Sequence, residues 1–139
     1  MKNSVLFDFD GVLIDSLPCM EFAWSRVQSE LNIDNPFYEY HRHIGIPFFE
    51  ILTLLSIPNY LFSSIKKTYN KYAADSVDRC ILFPYAIFVI DWLLDNQYNI
   101  GLVTSKDSIR TYNLLKHFNL PIDVVVTPEL TQRGKPFPD

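Results

Sequence analysis

The strongest constraint on the fold is the alternation of three short apolar runs with two stretches of helical periodicity. The apolar runs cover residues 4–9, 100–104 and 122–127, and each is too short to form a buried helix. Each is predicted to be a buried strand, whereas residues 86–97 and 107–118 carry apolar side chains at helical spacing. Strands that alternate with helices favour a parallel sheet with right-handed crossovers. The sequence therefore predicts an α/β fold.

A long helical segment separates the first two predicted strands. It is about 65 residues long, far more than a crossover needs, and it is broken near residues 32–36 and 58–59. Apolar residues recur at helical spacing before, between and after these breaks, which predicts three helices. We interpret residues 16–81 as an inserted helical cap, and residues 1–15 and 82–139 as the two parts of a discontinuous core.

Composition and charge argue against several classes of partner. The chain is 48% apolar and 20% charged, with a formal net charge of -4, which is typical of a globular domain. It has no basic stripe that could follow a phosphate backbone, so no nucleic-acid partner is expected. No stretch reaches the roughly 18 apolar residues of a membrane span, so no membrane partner is expected. Cys19 and Cys80 fit no metal-ligand spacing, and two buried thiols favour a reducing compartment, the cytoplasm.

Two carboxylates stand where the first predicted strand ends. Asp8 and Asp10 lie two residues apart, so both side chains can project to the same side. Ligands of parallel α/β sheets collect at this end of the strands. Two carboxylates this close repel each other unless a cation lies nearby, and Mg²⁺ suits them because it prefers oxygen ligands. Taken alone, the pair is equally compatible with a turn that carries two solvated acids. A calcium-binding EF-hand loop fits less well, because Val12 stands where a third ligand is needed.

The other predicted strands are followed by polar groups as well. Thr104 ends the second strand, with Ser105 behind it, and Lys135 follows the third strand. By itself Lys135 would be an ordinary exposed loop lysine. Because the C-terminal ends of parallel strands meet at one edge of a sheet, the acid pair, the hydroxyl and the lysine are expected to lie together. This combination favours a functional site over a solvated turn.

The chain resembles the haloacid dehalogenase-like hydrolases in three motifs. The motifs are residues 8–16 (DFDGVLIDS), residues 103–105 (VTS) and residues 134–139 (GKPFPD). They are similar to those of the branch with an inserted helical cap, typified by phosphoglycolate phosphatase and β-phosphoglucomutase. That branch more often has asparagine where Ser105 stands, and usually has glycine where Tyr85 stands. The resemblance implies a Rossmann-like parallel sheet, incomplete at its C-terminus, with an all-helical cap.

The resemblance also implies a role for each polar residue. Asp8 would attack phosphorus and form an aspartyl-phosphate, and Asp10 would exchange protons with the leaving group and the attacking water. Asp8 and the backbone carbonyl of Asp10 would hold Mg²⁺, the implied cofactor. Thr104 would hydrogen-bond a phosphoryl oxygen, and Lys135 would neutralise charge around it. The implied phosphate-binding residues are Gly11, Thr104, Ser105 and Lys135.

Three functions are compatible with these residues. The leading prediction is a Mg²⁺-dependent phosphatase that acts on small phosphorylated metabolites. The carboxyl group of Asp10 favours a phosphatase over a dehalogenase, because a halide leaving group needs no proton. One alternative is a sugar-phosphate mutase, which would return the phosphoryl group to its product. The other is a non-catalytic binding or assembly subunit.

The family's fourth motif, a pair of acids after a fourth strand, has no counterpart before the sequence stops at Asp139. The resemblance therefore implies a Mg²⁺ site that lacks some of its ligands, and slow or absent turnover by this polypeptide alone. Three explanations are compatible with this: a fragment of a longer protein, a chain that another chain completes, or a catalytically weakened short form. In the family the fourth strand lies beside the first. The first strand is accordingly expected to be an exposed edge, which could pair with a second copy or with a complementing chain.

Overall fold

A three-stranded parallel sheet forms the centre of the structure, a computed structural model that describes residues 3–138. In chain order the strands are β1 (Ser4–Phe7), β2 (Ile14–Asp15), β3 (Ile81–Leu82), β4 (Asn99–Val103) and β5 (Val124–Val126). The helices are α1 (Leu17–Leu31), α2 (Phe37–His41), α3 (Phe48–Leu54), α4 (Phe62–Asp75), α5 (Ala86–Asp95) and α6 (Ser108–His117). The sheet order is β1-β4-β5, and α6 is the crossover from β4 to β5. The predicted α/β class is confirmed.

The strands of this sheet differ in burial. In β4, Ile100 and Leu102 belong to the buried core. In β1, Val5 and Phe7 are half-buried, whereas Leu6 is 66% exposed. The prediction of a buried strand through residue 9 is therefore wrong in two respects, since β1 ends at Phe7 and one of its faces is open to solvent. Among the described residues no strand pairs with the outer edge of β1.

The helices α1 to α4 follow one another between β2 and β3, and α1 packs along α4. Their shared interior is aromatic: the Trp24 and Tyr40 rings stack with centroids 4.6 Å apart, and Tyr69 lies 5.8 Å from Tyr40. The prediction of three helices in this segment is incomplete, because residues 37–41 form the additional helix α2. A five-residue helix spans too few turns to produce a periodic pattern. No helix in the described part of the chain is long and apolar enough to cross a membrane.

A pair of two-residue strands connects the places where the chain leaves the central sheet and returns to it. Ile14 pairs with Leu82 and Asp15 with Ile81, in antiparallel register. The sequence did not predict this pair, because two residues carry no readable alternation. The predicted boundaries between core and cap, at residues 15–16 and 81–82, lie at these strands, and the division itself stays a prediction.

Candidate active site

Asp8 and Lys135 form an ion pair at the C-terminal edge of the sheet. Asp8 directly follows β1, whose last residue, Phe7, is in register with Leu102 of β4. An Asp8 carboxylate oxygen accepts a hydrogen bond from the Phe9 amide at 2.7 Å and lies 3.0 Å from Lys135 Nζ. The loop after β5 therefore brings a positive charge back to the end of β1, where the sequence predicted that the two residues would meet.

Asp10 is held by a different lysine. The Ser16 hydroxyl donates a hydrogen bond to Asp10 Oδ1, and Lys106 Nζ lies 3.1 Å from the same oxygen. The Lys106 side chain is only 4% exposed, so this ion pair is shielded from solvent far more than the pair between Asp8 and Lys135. The two carboxylates thus have separate cationic partners. Each carboxylate therefore has a lysine that offsets its negative charge.

The contacts of Lys106 and Ser16 with Asp10 were not predicted from the sequence. Lys106 directly follows Thr104 and Ser105, so its position after β4 was a usable signal. The burial of Lys106 could not be predicted, because an isolated lysine after a strand is ordinarily exposed. Ser16 lies at the start of α1, six residues beyond Asp10, and only the fold of the intervening turn brings the two side chains together.

A tight turn between β1 and β2 positions the acids. The Phe9 carbonyl accepts a hydrogen bond from the Leu13 amide at 3.0 Å, and the Gly11 amide donates to the Ile14 carbonyl at 2.8 Å. Gly11 has φ of +76°, and a Cβ there would meet no atom within 4 Å. Glycine is favoured at this position by the left-handed backbone conformation, and not by a lack of space for a side chain. The Gly11 amide donates within the turn and is therefore not free for the phosphate-binding role that the sequence predicted.

The two predicted hydroxyls after β4 differ in their contacts. Thr104 is buried, and its Oγ1 accepts a hydrogen bond from the Lys106 amide at 3.1 Å, which leaves the hydroxyl proton able to donate. Ser105 Oγ instead donates to the Gly45 carbonyl at 2.6 Å, in the loop between α2 and α3. Thr104 is thus suited to a ligand at the sheet edge. Ser105 tethers the helical segment to the core.

A cavity of about 140 Å³ lies between this edge and the helical segment. Its lining from the core side includes Asp8, Asp10, Ser105, Lys106 and Arg110. Tyr40 and Phe48 line it from the other side, together with residues 44–46. The cavity is therefore bounded by acids, by bases and by aromatic rings, and Arg110 is a further residue that the sequence did not single out.

Arg110 is fixed by an acid on its own helix and by two aromatic rings. Its Nε lies 2.6 Å from an oxygen of Asp107, which also caps α6 by accepting from the Arg110 amide at 3.0 Å. The guanidinium carbon lies 5.8 Å from the centre of the Phe48 ring and 5.2 Å from that of Tyr69. Burial alone would lower the pKa of Arg110, but neighbouring Tyr69 and Asp107 outweigh it and raise that pKa. Arg110 thus keeps its charge while it joins core and helical segment.

The oxygen donors at this edge are of the kind that Mg²⁺ prefers. The residues that the structure describes contain no cluster of three or more histidine, cysteine, aspartate or glutamate side chains that could hold a metal ion. Mg²⁺ does not require such a cluster, since it keeps several waters and binds through one or two carboxylates and phosphate oxygens. The Asp8 carboxylate and the Asp10 backbone carbonyl offer that kind of oxygen at the edge where phosphate would lie.

An acid pair, a hydroxyl and a lysine thus lie at one edge of the α/β sheet. The family model described as haloacid dehalogenase-like hydrolase matches residues 5–139, so the chain belongs to that family. The resemblance inferred from the three motifs is confirmed.

Individual relatives support the same placement. The chain is 23% identical to a phosphoglycolate phosphatase from Nitrosococcus oceani, over 96% of this chain and 64% of the relative. A solved hydrolase from Pseudomonas syringae is 26% identical with a TM-score of 0.89, over 99% of this chain and 66% of the other. A structure from Thermotoga maritima, provisionally named a β-phosphoglucomutase, is 23% identical with a TM-score of 0.68, over 96% and 65% respectively. The chain thus spans about two thirds of the length of these proteins.

Proposed function

We propose that this protein is a Mg²⁺-dependent phosphatase of small phosphorylated metabolites that acts through an aspartyl-phosphate on Asp8. The observation that carries the proposal is the separate pairing of the two carboxylates, Asp8 with Lys135 at 3.0 Å and Asp10 with Lys106 at 3.1 Å. A nucleophile and a proton carrier need different environments, and these two acids have them. Membership of a hydrolase family and the phosphoglycolate phosphatase relative support the same activity.

In the first step an Asp8 carboxylate oxygen attacks phosphorus, and the bond from phosphorus to the ester oxygen breaks. Asp10, which has to be protonated before this step, donates its proton to the departing oxygen, so the leaving group departs as a neutral alcohol. The Thr104 hydroxyl donates to a phosphoryl oxygen, and Lys135 balances the negative charge that Asp8 brings to the phosphate. Bound Mg²⁺ would supply further charge neutralisation at the phosphoryl oxygens, held by Asp8 and the Asp10 carbonyl.

In the second step a water molecule attacks the phosphorus of the aspartyl-phosphate. Asp10, now a carboxylate, accepts a proton from that water, and the bond from phosphorus to Asp8 breaks. Inorganic phosphate leaves, and both acids return to their initial state. Lys106 and Ser16 contribute by holding Asp10 in one place while it gives and then takes a proton.

The cavity favours a short substrate. Its volume of about 140 Å³ is well below the roughly 300–1,000 Å³ of sites for drug-sized ligands. The relative from Nitrosococcus oceani is named a phosphoglycolate phosphatase, and 2-phosphoglycolate is short enough to be the first compound to test. Arg110 and Lys106 line the same cavity and offer positive charge to a substrate with a second anionic group.

Release of inorganic phosphate from 2-phosphoglycolate and p-nitrophenyl phosphate tests the proposal. Because the fourth motif has no counterpart in this sequence, the purified protein should release phosphate only slowly with Mg²⁺, and it should lose that residual activity when EDTA removes the metal. The change Asp8→Asn should abolish it, whereas Asp123→Asn, an exposed acid beside β5, should not. Equal activity with and without EDTA, or in Asp8→Asn, would contradict the proposed mechanism.

A sugar-phosphate mutase is the second candidate, because the solved structures that resemble this chain include the one provisionally named a β-phosphoglucomutase. A mutase would return the phosphoryl group from Asp8 to its product. Incubation with labelled substrate distinguishes the two: a phosphatase releases labelled inorganic phosphate, whereas a mutase transfers the label to another position of a sugar phosphate.

A non-catalytic role would rest on the open edge of β1 rather than on Asp8. For this reading we propose that β1 pairs with β1 of a second copy, since Leu6 is exposed and the described strands leave its outer edge unpaired. Sedimentation velocity should then detect a dimer that Leu6→Lys disrupts and Asp8→Asn preserves. A monomer at all concentrations would refute it.

Buried, unpaired thiols favour the cytoplasm as the location of the protein.

A further inference from the structure

The fold brings together two cysteines that lie far apart in the sequence. Cys19 is in the first turn of α1, and Cys80 lies between a short 3-10 helix, Val77–Arg79, and β3. Both are buried and reduced. Both side chains line one cavity of about 20 Å³, which has room for a single water-sized molecule.

The surroundings of the two sulfur atoms are polar. Cys19 Sγ lies 3.3 Å from Ser76 Oγ and 3.5 Å from the Ala73 carbonyl oxygen. The hydrogen bond from Cys80 lowers the pKa of Cys19, with help from Ser76 and against the effect of burial. The same contact and burial raise the pKa of Cys80. Cys19 is thus the member of the pair whose thiolate forms more readily.

We propose that Cys19 and Cys80 are a site of reversible oxidation, at which a small hydroperoxide converts the thiol pair into a disulfide. The cavity between them argues for an oxidant of this size, because a bulky disulfide reagent could not enter it. The oxidation does not use Asp8 or its ion pair, although the same cavity is also lined by Ser16 and Lys106, which hold Asp10.

The chemistry balances in two steps. The Cys19 thiolate attacks one oxygen of the hydroperoxide, so that a sulfur–oxygen bond forms, the oxygen–oxygen bond breaks and a sulfenic acid results. Cys80 then attacks that sulfur; the sulfur–sulfur bond forms and the sulfur–oxygen bond breaks. With hydrogen peroxide, two thiols lose two electrons and two protons, and the peroxide leaves as two water molecules. A thiol reductant reverses the change.

The disulfide would lie beside the connections between the sheet and the helical segment. Those connections already pair through Ile14 with Leu82 and Asp15 with Ile81. A covalent link from Cys19 to Cys80 would close a loop around the whole helical segment, residues 19–80. It would also fix the first turn of α1, next to Ser16, whose hydroxyl holds Asp10. Oxidation is therefore expected to stiffen the attachment of the helices to the core.

The test is treatment of the folded chain with hydrogen peroxide, followed by intact mass measurement and by alkylation in denaturant. We expect a loss of two hydrogen atoms, protection of both cysteines from alkylation, a linked Cys19–Cys80 peptide in the digest and full reversal by dithiothreitol in denaturant, where the buried disulfide is accessible. The midpoint of thermal unfolding should rise by on the order of 5–10 °C. The variants Cys19→Ser and Cys80→Ser should show neither the mass loss nor the shift.

Three results would overturn the proposal. These are that both thiols stay open to alkylation after peroxide, that either sulfur reaches the sulfinic acid without forming a link, or that the only disulfides join two chains. The comparison of oxidised with reduced wild-type protein needs no substitution, so it is informative even if a serine variant folds poorly.

Discussion

The strands β1 and β4 lie side by side in parallel register, and residues of the candidate site follow both of them. The two strands are nevertheless buried to very different degrees. In β4, Leu102 is fully buried. In β1, Leu6 is 66% exposed and its side chain lies across Gly101, where a Cβ would come within 2.7 Å of the Leu6 Cδ2 atom. Asp8 after β1 and Thr104 after β4 nevertheless meet at the same edge.

This difference in burial indicates that the fold and the chemistry place different requirements on the two strands. The position of Asp8 is fixed by backbone pairing with β4 and by contacts at its own end, from the Phe9 amide and Lys135. Neither contact depends on burying the middle of β1. An edge strand can therefore carry the nucleophile, while the neighbouring central strand supplies the core. Activity and stability should accordingly respond to different residues of the two strands.

The largest expected effect compares the residues at the two strand ends. Asp8→Asn removes the nucleophile and should lower phosphate release by at least about 10⁴-fold. Thr104→Val removes one hydrogen bond to the phosphoryl group and should cost about 10²–10³-fold. Measurement of kcat/KM for 2-phosphoglycolate in both variants checks this. Equal losses would mean that Asp8 only binds substrate, and an active Asp8→Asn protein would remove it from the chemistry.

The second prediction concerns Lys106, which lies beyond the end of β4. Lys106→Met should lower kcat by about 10²–10³-fold, because Asp10 would lose the partner that orients it for proton transfer. Lys116→Met, an exposed change on α6, is the matched control and should leave kcat unchanged. Circular dichroism of both variants separates a loss of catalysis from a loss of structure. If the two changes act alike, Lys106 has no positioning role.

A third prediction compares the same substitution in the two strands. Leu102→Ala should lower the free energy of unfolding by about 2–5 kcal/mol, because it leaves a cavity in the core. Leu6→Ala removes a largely exposed side chain and should cost less than about 1 kcal/mol. Urea unfolding of the two variants measures both values. A cost at Leu6 as large as that at Leu102 would indicate that β1 is covered in solution by another strand or another copy.

The parts of the fold that could be predicted from sequence are those with enough residues to show a period. The strands β4 and β5 and the helices α1, α5 and α6 were predicted to within a few residues of their observed ends. The two-residue strands β2 and β3 and the five-residue α2 were missed, because none of them completes a pattern. An exposed edge at β1 was expected from the missing fourth motif, but the exposure of Leu6 on one face of the strand was not, since it depends on what packs against β1 and not on its own sequence.

The candidate site likewise contains residues that could be predicted from the sequence and contacts that could not. Asp8, Asp10, Thr104 and Lys135 were predictable, because residues after parallel strands meet at one edge of the sheet. The partners of these residues were not. Lys106 is buried against Asp10, Arg110 stacks on rings from α3 and α4, and Cys19 meets Cys80. Each of these contacts joins segments whose approach is set by tertiary packing, which leaves no trace in local spacing.

The smallest expected effect concerns Asp107, which follows β4 and binds Arg110. Burial would raise the pKa of Asp107, but the charge of Arg110 and hydrogen bonds from its amide and guanidinium outweigh it, so the pKa lies below the usual 3.8. Asp107→Asn keeps a cap for α6 but loses the ion pair. It should cost about 1–2 kcal/mol of unfolding free energy near neutral pH, because Arg110 retains its aromatic contacts.

The sign of the pH dependence follows from that lowered pKa. A carboxyl group with a lowered pKa in the folded state stabilises the fold above its unfolded pKa, and that contribution is lost as pH falls through the folded value. The difference between wild type and Asp107→Asn should therefore be constant above about pH 5 and shrink as pH drops below the usual 3.8. Urea unfolding at a series of pH values tests this. A difference that persists unchanged at the lowest pH would mean that the charge of Asp107 contributes nothing, and that its hydrogen bonds alone hold Arg110 against the helices.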